Sequence, residues 1–257
     1  MVKIFLDPGH GGTDPGAVGN GLQEKALVLT IASLTRDMLL EEYQNVEVRM
    51  SRSTDTFVSL SERSRLANQW GADYFVSIHI NAGGGTGFES FVHSSRATRT
   101  VQLQNTVHDA IMEQLSVTDR GKKSADFAVL RGSSMPAILT ENLFIDRVSD
   151  ANLLKDAAFL RSVARGHVNG IVRAFQLQRK PGSGGGSVYR VQSGAFSSEQ
   201  NATLLKTRLE QAGYQPFIRL EGGLYKVQVG AFSNQANAEA FAVELRGKGF
   251  EAQVILS

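Results

Sequence analysis

The chain has 257 residues, enough for one large domain or two unequal ones. With 42% hydrophobic and 20% charged residues and a formal net charge of only +2, it has a globular composition and no basic run that would argue for nucleic-acid binding. There is no cysteine, which excludes disulfides and thiolate metal ligands, and no apolar run reaches the ~20 residues of a membrane helix.

In chain order, Val2–Leu6 reads as an apolar strand that runs into the Gly-rich Asp7-Pro8-Gly9-His10-Gly11-Gly12. Leu27, Ile31, Leu34 and Met38 recur at helical spacing over about residues 23–42, and Val46–Met50 is a second strand. Ser59-Leu60-Ser61-Glu62 is a capping box opening a helix that lasts to about Trp70. Tyr74–Ile78 is a strand ending in Ser77-Ile78-His79-Ile80-Asn81, and a helix spans roughly residues 97–115. Ala137–Thr140 is a short apolar strand leading to Glu141-Asn142, and a last helix lies near 159–176. This alternation predicts an α/β fold for residues 1–178: a mostly parallel, twisted sheet covered by helices on both faces.

Residues 179–187, Arg-Lys-Pro-Gly-Ser-Gly-Gly-Gly-Ser, contain no apolar side chain and read as a flexible linker. Beyond it, residues 188–257 hold an internal repeat. Tyr189–Ser197 (YRVQSGAFS) matches Tyr225–Ser233 (YKVQVGAFS) at an offset of 36 residues, and Asn201-Ala202, Leu209 and Gly213 recur as Asn237-Ala238, Leu245 and Gly249. Each copy reads strand, helix, strand, with Ser197 or Ser233 as helix N-cap and a Gly after the last turn. Ala202, Leu205, Leu209 and Ala212 form one buried stripe; Ala238, Phe241 and Leu245 form the other. One such unit could hardly bury its own face, so the two are expected to fold together as a small α+β domain, βαββαβ, with one sheet backed by two helices.

In parallel sheets the sites form at the C-terminal ends of the strands. His10, His79 and Glu141 lie at three such ends, and Glu24 opens the helix after the first Gly-rich loop, on the same edge. Two imidazoles and a carboxylate suit a catalytic zinc that keeps one position open for water, and a second carboxylate suits a general acid/base. On this reading His10, Glu24 and His79 are the ligands and Glu141 the acid/base. Asp14, four residues from His10, rivals Glu24 as third ligand. Asp7 is either a support for a ligand imidazole or a cap of the turn. His93, His108 and His167 lack a strand-end position and read as ordinary structural residues. The Gly-rich loop superficially suits a phosphate but lacks the Lys-Ser/Thr of a P-loop and GxGxxG spacing, and no HExxH is present.

The run Ile4–Ala17 (IFLDPGHGGTDPGA), the later Glu24, Ser77–Asn81 (SIHIN) and Pro136–Asn142 (PAILTEN) together resemble the zinc N-acetylmuramoyl-L-alanine amidases of the amidase-3 family, over roughly residues 1–176. The resemblance implies one Zn2+ at His10, Glu24 and His79, catalysis by Glu141, and cleavage of the bond between muramoyl lactyl group and L-alanine in peptidoglycan. It favours Glu24 over Asp14. Some members carry an autoinhibitory helix between the second His and the catalytic Glu. Here residues 80–140 are expected to hold one strand, one helix and loops, leaving the site open. Residues 188–257 resemble the SPOR domain, which binds glycan strands stripped of stem peptides. Strand alternation turns Tyr189 and Val191 toward the helices and Arg190, Gln192, Lys226 and Gln228 toward the open face, where they would meet sugar hydroxyls. The two-domain order is similar to that of Bacillus amidases that lyse the mother cell late in sporulation, and a phage endolysin follows the same logic. A monomer is expected, with peptidoglycan as partner, no nucleic acid and no membrane span. Met1–Leu6 shows no leader pattern, so accumulation in the cytoplasm and release by lysis or a leaderless route is expected. The competing readings are a non-catalytic wall-binding protein and a zinc peptidase acting on stem peptides.

Overall fold

The computed structural model describes residues 1–181, 189–232 and 235–256; positions 182–187 of the expected linker, Val188 and Ser233 lie outside them. The chain forms two compact units, Met1–Gln178 and Arg179–Ser257.

The first unit runs β1 (Val2–Pro8), a two-residue ribbon β2 (Val18–Gly19) and β3 (Leu22–Gln23), α1 (Glu24–Glu42), β4 (Val46–Met50), α2 (Leu60–Trp70), β5 (Tyr74–Asn81), β6 (Phe88–His93), α3 (Thr98–Gln114), β7 (Asp119–Ala125), α4 (Ala128–Gly132), β8 (Ala137–Phe144), α5 (Val148–Leu154) and α6 (Ala157–Phe175). Six strands make one sheet in the order β4-β1-β5-β8-β6-β7. Every neighbouring pair is parallel except β8 with β6.

Ile4, Phe5 and Leu6 are all buried, because β1 is covered on both faces; this is why the strand reads as a continuous apolar run and not an alternation. One face packs Ile4, Leu6, Val76, Ile78 and Ile138 against Ile31 of α1, Val107 of α3 and Val168 of α6. The other packs Phe5, Phe75 and Leu139 against Ala67 of α2 and Val129 of α4. Full burial of a Val, Leu, Ile or Phe side chain in these layers contributes about 1.5–3 kcal/mol. The second, thinner layer leaves room beside α2 and α4 at the strand ends, and a cleft opens there.

Two local expectations change. Residues 80–140 hold two strands, β6 and β7, and two helices, α3 and α4, where one strand and one helix were expected. Strand β7 (DRGKKSA) carries charges because it is an edge, where lysine keeps the ladder from pairing with another chain. Of the capping box, only half forms: Ser59 Oγ accepts from Glu62 N, while the Glu62 carboxylate turns to Arg65.

The second unit is β9 (Tyr189–Phe196), α7 (Glu199–Gln211), β10 (Phe217–Glu221), β11 (Leu224–Phe232), α8 (Gln235–Gly247) and β12 (Gln253–Leu256). Its antiparallel sheet has the order β10-β11-β9-β12. Val191 and Val227 pack on Ala202, Leu209, Ala238 and Leu245, as the βαββαβ reading requires, with Tyr189, Leu205 and Phe241 at the edge of that core. Ala212 is exposed: α7 ends at Gln211, so the stripe stops before it. Ser198 takes the N-cap position expected for Ser197, without a side-chain cap bond.

Candidate functional site

Strand β1 delivers its polar tail to the sheet's C-terminal edge, and two buried arginines shape the loop that continues it. Arg52 donates to the carbonyls of Pro8 (3.1 Å), Gly9 (2.7 Å) and Lys25 (2.8 Å). Arg63, on α2, donates to the carbonyls of Pro8 and His10, both at 2.7 Å, and pairs with Asp7 at 2.8 Å. Asp7 also accepts from Ser51 (2.6 Å) and Ser77 (2.8 Å). It therefore neither touches a ligand imidazole nor caps the turn; it anchors the arginine that holds the loop. His10 itself sits in the left-handed region, φ 58°, a conformation that persists only where the surroundings enforce it.

The fold brings His10, Glu24 and His79 together, with one donor atom from each lying within 4.8 Å of the others. Glu24 Oε2 is 3.2 Å from His10 Nε2, and Glu24 Oε1 is 3.0 Å from His79 Nδ1. Backbone amides fix that carboxylate: Ala17 N donates to Oε2 (2.8 Å) and Ile80 N to Oε1 (2.9 Å). The packing is tight enough that only glycine fits beside it. A Cβ on Gly9 would lie 2.3 Å from His79 Cε1, and one on Gly16 2.6 Å from Glu24 Oε2. Asp14 is not part of the trio. Its Oδ2 lies 2.8 Å from His10 Nδ1, and its Oδ1 accepts from Gly16 N, so it orients the imidazole from behind. A zinc held tetrahedrally at ~2.0–2.1 Å from each donor separates its ligand atoms by about 3.3 Å. The spacing and the His/Glu/His donor set fit such an ion.

Burial opposes charge on Glu24, yet hydrogen bonds from His10 and His79 bring its carboxyl well below the usual range. Burial likewise works against the imidazolium at His10 and His79, and the Glu24 carboxylate more than offsets it, raising both.

Glu141 stands directly beside His79 across the β5–β8 ladder. Its Oε2 is fully covered and has no hydrogen-bond partner among the described residues. Burial pushes its carboxyl up to about 7, the His79 charge acts in the opposite sense, and the carboxylates of Glu24 and Glu89 add to the rise. A carboxyl that changes protonation near neutral pH is matched to proton transfer in both directions. Glu141, His10 and His79 line a cleft of about 300 Å³ whose apolar wall is made by Phe57, Leu60, Phe127 and Val129.

The remaining histidines are satisfied elsewhere. His93 contacts Ser95 and Asp126, His108 contacts Ser90 and Asp119, and His167 contacts Thr140 and the Val163 carbonyl. The Gly-rich loop does not form a phosphate cradle, because its amides are taken: Gly9 N by Ile78 O, Gly11 N by Asp14 O and Gly12 N by the Asp55 carboxylate. Reading the sequence missed Arg52 and Arg63 as builders of the site; the inward position of Arg63 on the α2 face opposite its exposed charges was the available signal.

In the second unit Arg190, Gln192, Lys226 and Gln228 share a shallow concavity of about 130 Å³ with Arg219 and Glu221 on the sheet face away from the helices. Gln192 and Gln228 are direct cross-strand partners, and Lys226 is held at 3.3 Å by Glu221.

A family model described as N-acetylmuramoyl-L-alanine amidase matches residues 4–173, and a SPOR domain model matches 172–220 and 221–256. The chain is 52% identical over 221 residues to the sporulation-specific N-acetylmuramoyl-L-alanine amidase of Bacillus subtilis (strain 168), covering 86% of each. It is 47% identical over 185 residues to the endolysin of Bacillus phage SPP1, covering 70% of this chain and 68% of that one. The catalytic domain of CwlV, an N-acetylmuramoyl-L-alanine amidase from Bacillus (Paenibacillus) polymyxa var. colistinus, superimposes with a TM-score of 0.66 at 31% identity, over 69% of this chain and 100% of that one.

Proposed function

The chain belongs to the N-acetylmuramoyl-L-alanine amidase family, and from that premise we propose that it is a zinc-dependent peptidoglycan hydrolase that cuts between the muramoyl lactyl group and L-alanine of the stem peptide. The observation that carries the proposal is the trio His10, Glu24 and His79 with Glu141 beside it, whose Oε2 is buried without a hydrogen-bond partner among the described residues. Zinc, when bound, lowers the pKa of a water to about 7 and polarises the substrate carbonyl. Asp14 and the Ala17 and Ile80 amides keep the donor groups in place. Glu141 takes a proton from the water that attacks the lactyl carbonyl and delivers it to the departing L-alanine nitrogen. Phe57, Leu60, Phe127 and Val129 give the cleft beside that exchange an apolar side.

The polar sheet face of the second unit, with Arg190, Gln192, Lys226 and Gln228, binds glycan and raises the local concentration of the first unit on the wall. The likeness to a sporulation-specific amidase and to a phage endolysin supports a role in lysis. The test is a digest of purified peptidoglycan read by mass spectrometry, with and without a chelator. Peptides bearing a free L-alanine amino terminus, lost on chelation and restored by zinc, support the proposal. Shortened stems still attached to sugar identify a peptidase, and unchanged wall with the protein bound identifies a binding module.

A further inference from the structure

Beside Glu141 the first unit carries a second charged group that the proposed amidase reaction does not use. Glu89 on β6 is the direct antiparallel partner of Glu141, which sets their Cβ atoms ~4.5–5.5 Å apart on one face of the sheet. Its side chain is 6% exposed. Its Oε1 accepts from Asn81 Nδ2 at 2.8 Å, and its Oε2 accepts from Arg120 Nε at 2.8 Å and Lys123 Nζ at 2.5 Å. Burial works against charge on Glu89, and the two cations bring its carboxyl below the ordinary value, so it is ionised.

Arg120 and Lys123 are three positions apart and would face opposite sides of a regular strand. The β6–β7 register shifts between Phe88 and Ser90, opposite Arg120-Gly121, and Gly121 takes φ 90° there. This irregularity re-aims Arg120 to the same face as Lys123, a use to which bulges near active sites are put. Glu89 gives Oε1 to Asn81 and Oε2 to both cations, so the pair carries one positive charge beyond the single Glu89 carboxylate it faces. Its cations remain reachable: the side chains of Arg120 and Lys123 are 33% and 40% exposed. The guanidinium of Arg120 lies over the Phe144 ring at 4.8 Å, and among the described residues its hydrogen bond to Glu89 is made through Nε. Lys123 lies 5.8 Å from the Phe91 ring, and Phe91 packs on Phe127 of the cleft wall, so the ledge continues the cleft.

Under the amidase reading, on which this subsite rests, Glu141 gives its proton to the L-alanine nitrogen, and the subsite requires the stem peptide to run from Glu141 toward its cross-strand neighbour Glu89. An extended peptide advances ~3.3–3.6 Å per residue, so the residue after L-alanine reaches about 7 Å beyond the scissile nitrogen. One strand spacing of ~4.8 Å plus the length of a side chain covers that span. We propose that Arg120 and Lys123 form a subsite for a free carboxylate on the acidic stem residue that follows L-alanine. The subsite selects stems in which that carboxylate is free over stems in which it is an amide.

The test compares two synthetic disaccharide peptides that differ only in that carboxylate or carboxamide. Wild type is set against Arg120→Gln, Lys123→Gln and the double variant, whose glutamines still offer Glu89 a donor. Two exposed ion pairs correspond to a preference of about 10-fold in kcat/KM for the acid, carried by KM, and the double variant brings the ratio to within about twofold of unity. Should the double variant fail to fold, Lys123→Gln alone, which leaves Arg120 and Asn81 on Glu89, lowers the preference about threefold. Release of L-alanine amino termini from whole peptidoglycan by the wild type is measured alongside. If that release is absent, the amidase reading itself has failed. If it is present, equal rates on the two substrates, or a preference that survives in the variants, overturns the subsite.

Discussion

Arg63→Met removes a guanidinium whose side chain is 3% exposed and which makes four hydrogen bonds, to Val58 O, Asp7, Pro8 O and His10 O. Asp7, fully buried, is left with only the hydroxyls of Ser51 and Ser77. Breaking one partner out of a buried pair costs about 3–5 kcal/mol, a large share of the ~5–15 kcal/mol by which a domain is stable. Trp70 is the only tryptophan of the chain and lies in the first unit against Phe5, so its fluorescence in urea follows that unit alone. At about 2 kcal/mol per molar urea, the midpoint falls by roughly 2 M with the slope unchanged. Adding Asp7→Asn to the variant removes the stranded charge and recovers a substantial part of the loss, since an uncharged amide costs less to bury than a carboxylate. A midpoint displaced by less than about 0.3 M, or a double variant no steadier than the single one, would show that this pair does not hold the loop.

Asp14→Ala leaves the fold intact but frees the His10 imidazole from its 2.8 Å partner, and zinc affinity measured against a competing chelator weakens about 10–100-fold; unchanged affinity would remove Asp14 from its orienting role. Gly16→Ala places a methyl group 2.6 Å from Glu24 Oε2 at φ 66°, so it lowers both the urea midpoint and the bound zinc, and a variant with wild-type zinc content would contradict so tight a fit. Burial holds the His167 imidazole down at about 4, below its ordinary 6.5. Its neutral form therefore contributes fully above about pH 6.5, and that contribution, about 3 kcal/mol, is lost as pH falls toward 4. In His167→Gln the fall in urea midpoint over that window is shallower than in the wild type; an identical slope would mean that another group carries the acid sensitivity.

How much of the molecule could be read beforehand depended on how local the cause was. Strand β1 and helix α1 announce themselves because their apolar patterns follow from burial of the element itself, on both faces or on one. His10 and His79 were legible because strand ends in a parallel sheet share an edge. The choice between Asp14 and Glu24 was not legible from position, since both lie near His10 in the chain. What separates them is how each carboxylate is held: the amides of Ala17 and Ile80 fix that of Glu24 beside both imidazoles, and Ile80 reaches Glu24 only once β5 is beside β1. Arg52 and Arg63 escaped notice because arginine normally lies at the surface, and here each is buried by binding carbonyls of one loop. The charged β7 hid for the opposite reason: its lysines and arginine belong on an edge strand but look like a loop in sequence. Glu89 carried no signal of its own, because its meaning comes from the irregular register that turns Arg120 toward it.

The central claim is that Glu141 moves the proton while His10, Glu24 and His79 hold the metal. It is tested most directly by the release of L-alanine amino termini from purified peptidoglycan by Glu141→Gln protein shown to carry one zinc per chain. Zinc and fold are expected to be kept while the rate falls about 10²–10⁴-fold. A zinc-loaded variant that digests the wall at the wild-type rate would contradict the claim.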